Sequence, residues 1–177
     1  RPSHRNALAA GLPGRRHTMT HARIRGFTLI ELMISLACIA LIASIAMPYV
    51  DLVMQRHKEA ELRVALREIR NALDAYHRAT EEGRITKTTG DAGYPATLES
   101  LAGGVQDATN PDGAMIYFLR RIPRDPFHPD TTTDAAETWG KRSYASTPGA
   151  PREGKDVFDV YSRSTATGLN GVPYRDW

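Results

Sequence analysis

Arg23-Ile24-Arg25-Gly26-Phe27-Thr28-Leu29-Ile30-Glu31-Leu32 runs from a basic segment through a glycine into an apolar stretch that carries one carboxylate near its start. From Phe27 to Val50, Glu31 is the single charged residue among 24. As a helix rising about 1.5 Å per residue, this stretch spans roughly 36 Å. A bilayer's hydrocarbon core is about 30 Å thick, so the segment is long enough to cross a membrane once. A charged side chain in that setting costs roughly 2.5 to 3.5 kcal/mol on insertion scales, and Glu31 therefore calls for a partner charge. A secretory signal peptide has a shorter apolar core, of about 7 to 15 residues, with its small-residue cleavage site after the core rather than before it. A plain single-pass anchor explains the length and the basic flank but leaves Glu31 and Gly-Phe-Thr-Leu without a reason. A buried helix of a soluble domain is disfavoured by so long a run with one charge.

The charges divide along the chain. Arg1, Arg5, Arg15, Arg16, Arg23 and Arg25 precede Phe27 with no acid among them, about +6, so a net charge of +3 leaves about −3 for the remainder. The basic pI of the whole chain thus comes from residues 1–26, and a nucleic-acid partner is not expected. Arginines beside the apolar run predict a cytoplasmic N-terminus, with the rest of the chain on the far side of the membrane. Met19 is read as the native start, giving a leader Met19–Gly26. Arg1–Thr18 has no apolar periodicity and reads as upstream sequence or as a longer leader. The one cysteine, Cys38, lies inside the apolar run and reads as a packing residue, so no disulfide framework is available within one chain.

At Gly26-Phe27-Thr28-Leu29-Ile30-Glu31-Leu32 the chain resembles the type IV pilins and the pseudopilins of type II secretion. The resemblance implies that a membrane-embedded prepilin peptidase cuts between Gly26 and Phe27 on the cytoplasmic side and methylates the new amine of Phe27. Glu31 then becomes the fifth residue of the mature chain, where the family carries a glutamate.

Beyond the apolar run, Asp51 to about Arg78 contains neither glycine nor proline. Leu62, Leu66, Ile69, Leu73 and Tyr76 recur at spacings of three and four, with Ala65 and Ala72 in the same stripe. This predicts an amphipathic helix over 51–82. Lys58, Glu59, Glu61, Arg63, Arg67, Glu68, Arg70 and Asp74 are expected to form its solvated face. Joined to 27–50 it makes one long helix, interrupted in its hydrogen bonding at Pro48, which cannot donate to the carbonyl of Ser44. Pro48 reads either as a tolerated kink or, by the resemblance, as a site where the helix unwinds over Ala43–Met47 when subunits pack.

Residues 83–177 are expected to form one head. Gly83–Gly93 is a loop by composition. Tyr94–Leu101 predicts a short helix stopped by Gly103-Gly104. Asn110-Pro111-Asp112-Gly113 reads as a turn before apolar Met115–Leu119. Arg142–Thr147 and Asp156–Ser162 predict two strands in an antiparallel pair. The expected fold class is α+β and pilin-like, a long N-terminal helix packed on a small antiparallel sheet that needs the helix to complete its core.

The head also carries Tyr94-Pro95, Ile122-Pro123-Arg124-Asp125-Pro126, Trp139-Gly140 with Tyr144, Pro148-Gly149 and Phe158-Asp159-Val160-Tyr161-Ser162, in the order found in the major pseudopilin. Two departures stand out. Phe127–Thr138 separates Asp-Pro from Trp-Gly, which the family usually joins, so an insertion is expected. The resemblance also implies aspartates in the final loop that help bind calcium, yet after Ser162 this chain has no acid until Asp176. Calcium takes six to eight oxygens with several carboxylates, so no calcium site and no other metal or cofactor is expected.

Asp125, His128, Asp130 and Asp134 form the best local cluster of metal-capable side chains, but in a Pro- and Thr-rich stretch they read as a solvated loop. His57 and His77 form no ligand pair, no phosphate-binding glycine loop is present, and scattered Ser, His and Asp make no triad. The chain reads as the substrate of an enzyme rather than as one. By the resemblance its partners are the prepilin peptidase, other copies of itself, minor pseudopilins, an inner-membrane assembly platform and membrane lipid, within a periplasmic pseudopilus. Two readings share many of these residues: a pilin or minor pilin of a type IV pilus, and a membrane-tethered head that binds a partner without polymerising.

Overall fold

The computed structural model describes residues 26–110 and 112–177, with the side chains of residues 45–48 outside that description. The leader expected over residues 1–26, including Met19 but apart from Gly26, and Pro111 of the expected turn therefore lie outside the described residues. The chain divides into two compact units that part after Ser44. Each is taken by itself.

In the first unit, helix α1 (Leu29–Glu81) begins two residues after Phe27. Its apolar side chains lie open, with Leu29, Ile30, Leu32, Met33, Ile34, Leu36, Ile39, Leu41 and Ile42 all exposed. Two polar side chains in this stretch satisfy themselves locally. The Ser35 hydroxyl donates to the Glu31 carbonyl at 2.8 Å and the Ser44 hydroxyl to the Ala40 carbonyl at 2.9 Å. Neither carries an unmet donor into an apolar setting. The helix continues through Pro48 without a break.

In the second unit the stripe predicted from spacing is the side of α1 that meets the head. Leu62, Ala65, Leu66, Ile69, Ala72 and Leu73 are buried, with Tyr76 packed against them. The head contributes Leu98, Leu101, Leu119, Ala136, Trp139, Val157, Val160 and Tyr174 to the same core. Burying each such leucine or isoleucine contributes about 1.5 to 3 kcal/mol. The short strands offer little ladder of their own, so this shared core is what secures them.

Two antiparallel pairs replace the one small sheet anticipated. Strands β1 (Val105–Gln106) and β2 (Met115–Ile116) pair with Val105 opposite Ile116. Strands β3 (Trp139–Arg142) and β4 (Asp159–Ser162) pair with Trp139 opposite Ser162 and Arg142 opposite Asp159. The class remains α+β, and its pilin-like plan of one long helix with small antiparallel pairs matches the expectation.

The details differ where side chains compete with the backbone. The first strand of the β3–β4 pair lies earlier than the expected Arg142–Thr147, because Asp156 bends the chain there. Its Oδ1 accepts from the Ser143 hydroxyl at 3.0 Å and from the Tyr144 amide at 2.8 Å, and the Ser146 amide closes a turn on the Ser143 carbonyl. Gly140 faces Tyr161 across the pair, and a Cβ at that position would collide with the Tyr161 ring, which accounts for glycine after Trp139. The expected Tyr94–Leu101 helix shortens to α2 (Glu99–Gly103), because the Pro95 carbonyl is taken by the Val157 amide at 2.8 Å. Gly104 ends α2 at φ 86°, a conformation that suits glycine.

Candidate functional site

The residues singled out around the glycine fall together at the start of α1. Gly26, Phe27 and Thr28 precede the helix and Glu31 lies in its first turn. Thr28 caps the helix. Its Oγ1 accepts from the Glu31 amide at 3.3 Å, its own amide points to Glu31 Oε2 at 3.5 Å, and its carbonyl receives the Leu32 amide at 3.1 Å. This reciprocal arrangement is a capping box, satisfying two amides that a helix start leaves without partners. Both box contacts are at the long end of the hydrogen-bond range, so Glu31 is held loosely. The Thr-x-x-Glu spacing ahead of an apolar run carried that signal in the sequence, and it stands beside the partner charge that Glu31 still calls for.

Among the described residues, a Cβ placed on Gly26 would meet no atom within 4 Å. Glycine there is not required by the fold of the described residues. Phe27 is 81% exposed and the Glu31 carboxylate is also exposed. Pro48, the other residue singled out, lies 17 positions beyond Glu31 in the same helix. In the uncut chain the Phe27 nitrogen is an amide. The segment is thus an uncovered apolar helix with a carboxylate in its first turn, beside a peptide bond at the foot of the helix.

The head supplies what the sequence reading overlooked. Glu59 and Arg70, assigned to the solvated face of α1, turn inward. Glu59 is 4% exposed, and its Oε1 accepts from the Leu169 amide at 2.8 Å, the Tyr174 hydroxyl at 3.0 Å and Gln55 Nε2 at 3.3 Å. Burial pushes the Tyr174 hydroxyl above its ordinary pKa; donation from Gln55 lowers it, and the neighbouring Glu59 carboxylate raises it again. Arg70 donates to Asp159 Oδ1 at 2.8 Å, the Val160 carbonyl at 3.2 Å and the Trp177 backbone oxygen at 2.8 Å. Glu59 lies three residues before Leu62, in line with the apolar stripe, so its inward position was legible in the spacing. The Arg70 fork depends on β4 and was not.

The expected solvated cluster at 125–134 is corrected in one member. Asp125 is 3% exposed and ties two head segments, accepting from the Ser162 hydroxyl at 2.6 Å and the Phe127 amide at 2.8 Å. Asp130 remains exposed, and bonds from the Thr132 amide and hydroxyl and the Thr133 hydroxyl lower its pKa to about 2. Asp134 caps the 3₁₀ turn Ala135–Thr138 through the Ala136 amide. Each acid is occupied by a donor of its own neighbourhood, and among the described residues no three His, Cys, Asp or Glu side chains converge on a common point. The segment Phe127–Thr138, expected to be an insertion, is held at its start and in its middle. Arg124 donates to the Thr133 and Asp130 carbonyls, and Phe127 stacks on Tyr174 with ring centroids 4.0 Å apart.

A cleft of the head, about 1020 Å³, is walled by Tyr76, Tyr94, Tyr144, Asp91 and Asp156 among others. Its polar groups serve structure. Asp156 holds the Ser143–Tyr144 turn, and the Tyr94 ring is stacked between His77 and Tyr144.

Comparison with known proteins agrees with these features. Residues 21–47 match the family described as the prokaryotic N-terminal methylation motif. The type II secretion system core protein G of Dickeya chrysanthemi is 28% identical over 161 residues, 87% of this chain and 83% of the relative. The protein of that name from Escherichia coli (strain K12) is 30% identical over 113 residues, 60% of this chain and 68% of the relative. No solved structure matches the chain.

Proposed function

This chain belongs to the family of the type II secretion system core protein G, the pseudopilins, and we propose that a prepilin peptidase cuts it between Gly26 and Phe27 and methylates the new amine of Phe27. The observation that carries this reading is the boundary itself: a glycine that no contact among the described residues requires, followed by an uncovered apolar helix with one carboxylate in its first turn. The mature subunit then sits in the inner membrane through residues 27–50, with its head, residues 83–177, in the periplasm. The arginine-rich leader favours that orientation.

Cleavage turns a neutral amide into an ammonium four residues before Glu31. In the low dielectric of a lipid or filament core each charge lowers the other's burial cost, between neighbours or within one chain. A charge-assisted bond of that kind is stronger than the long Thr28 contacts that hold Glu31 in the uncut chain. The exposed side chains from Leu29 to Ile42 exchange lipid contacts for contacts with other copies and with minor pseudopilins. Pro48, which leaves the Ser44 carbonyl without its helical donor, lets Ala43–Met47 unwind as subunits pack. An inner-membrane assembly platform drives the transfer, and the resulting pseudopilus moves folded proteins across the outer membrane. The subunit acts as a building block and as the substrate of an enzyme, not as an enzyme.

The Glu31→Leu variant tests this. It removes the charge and keeps an apolar helix, so membrane insertion and peptidase cleavage are expected to persist while filament assembly and secretion are lost. Secretion at the wild-type rate by that variant would contradict the pairing mechanism.

A further inference from the structure

The closing loop of the head, Arg163–Trp177, is the segment in which the resemblance implies calcium-binding aspartates, and the residues present do not fit such a site. Its one acid, Asp176, faces Arg175 at 3.8 Å. The Asn170 side-chain oxygen already accepts from the Val172 amide, and the loop closes on itself through the Thr167–Pro173 bridge. Added bulk at Gly168 would strike the Trp177 ring, so the loop is packed shut. The acids that approach it from outside are engaged by donors of this chain. Glu59 is held by Leu169, Tyr174 and Gln55, Asp125 by Ser162 and Phe127, and Asp159 by Arg70 and Arg142. A hard cation needing several free carboxylate oxygens would have to break these bonds to bind.

We infer that this head closes its final loop with protein groups in the place of a cation. Glu59 grips Leu169 and Tyr174 from α1, Arg70 grips the Trp177 backbone oxygen, and Phe127 stacks on Tyr174 to cover the clamp. The buried carboxylate supplies from the protein side the negative oxygen around which the loop organises its donors, and Arg70 supplies the positive counterpart. The loop is therefore ordered without divalent metal, and it depends on Glu59. This inference is independent of the proposed polymerisation, because it concerns the closure of a single head.

Hydrogen exchange of the full chain in mild detergent, followed over residues 163–173 in calcium chloride and in EDTA, tests it. The expected result is exchange in the wild type that differs by less than twofold between the two conditions, and exchange at least tenfold faster in Glu59→Ala under both. Should Glu59→Ala not fold, Glu59→Gln decides, since it keeps an acceptor oxygen and loses the charge: faster loop exchange with the α1 core amides unchanged supports the clamp. Calcium slowing the wild-type loop tenfold or more would overturn the inference. So would loop exchange unaltered in a folded Glu59 variant.

Discussion

Thr28 and Glu31 satisfy each other's amides at the start of α1, at 3.3 and 3.5 Å. Replacing a threonine cap by alanine typically costs about 1 kcal/mol, so Thr28→Ala is expected to fray the first turn and speed exchange of the Glu31 and Leu32 amides about fivefold. Unchanged exchange would show the box to be incidental. Arg70 is a different case, because its fork joins α1 to β4 and to the Trp177 oxygen. Lysine cannot reproduce that planar geometry. Its side chain is 36% exposed and Asp159 keeps Arg142, so Arg70→Lys is expected to cost a screened amount, about 1 kcal/mol, measured as a lower denaturation midpoint. Both residues show why single positions were partly hidden in the sequence. Thr-x-x-Glu is a local pattern, whereas the partners of Arg70 lie about ninety residues away and nothing near position 70 announces them.

The second half of α1 illustrates what periodicity delivers. Spacings of three and four named Leu62, Leu66, Ile69 and Leu73, and all four are buried. Ile69→Ala leaves a cavity and is expected to cost about 2 to 5 kcal/mol, read from denaturation of the full chain through Trp139 and Trp177 fluorescence. A loss under 1 kcal/mol would mean that the shared core does not hold the head. Strand boundaries were less legible, because Asp156 captures Ser143 and Tyr144 and ends β3 earlier than composition alone predicts. The segment Phe127–Thr138 offers a pH test. Asp130 has a folded pKa of about 2 against an ordinary 3.8, so its bonds to Thr132 and Thr133 are fully present above about pH 5 and are lost as pH falls through 2. At pH 3 the Thr132 amide is expected to remain hydrogen-bonded in an NMR titration, when ordinary exposed aspartates are mostly protonated. A midpoint near 4 at Asp130 would refute the turn.

For the molecule as a whole, the division of labour follows the charge pattern. A basic stretch precedes an apolar segment with one acid, and a head of slight negative charge follows it. The described first unit leaves its apolar side chains uncovered, and the second buries its own on α1. An uncovered apolar helix needs lipid or its own copies, and the acid in its first turn needs a cation. Under the proposed cleavage after Gly26, the new amine of Phe27 would supply that cation. Mass spectrometry of the protein isolated from secreting cells tests this most directly. The expected result is a mature N-terminus at Phe27 carrying one methyl group on its amine. A native chain that still begins ahead of Gly26, with Arg23 and Arg25 attached, would contradict it.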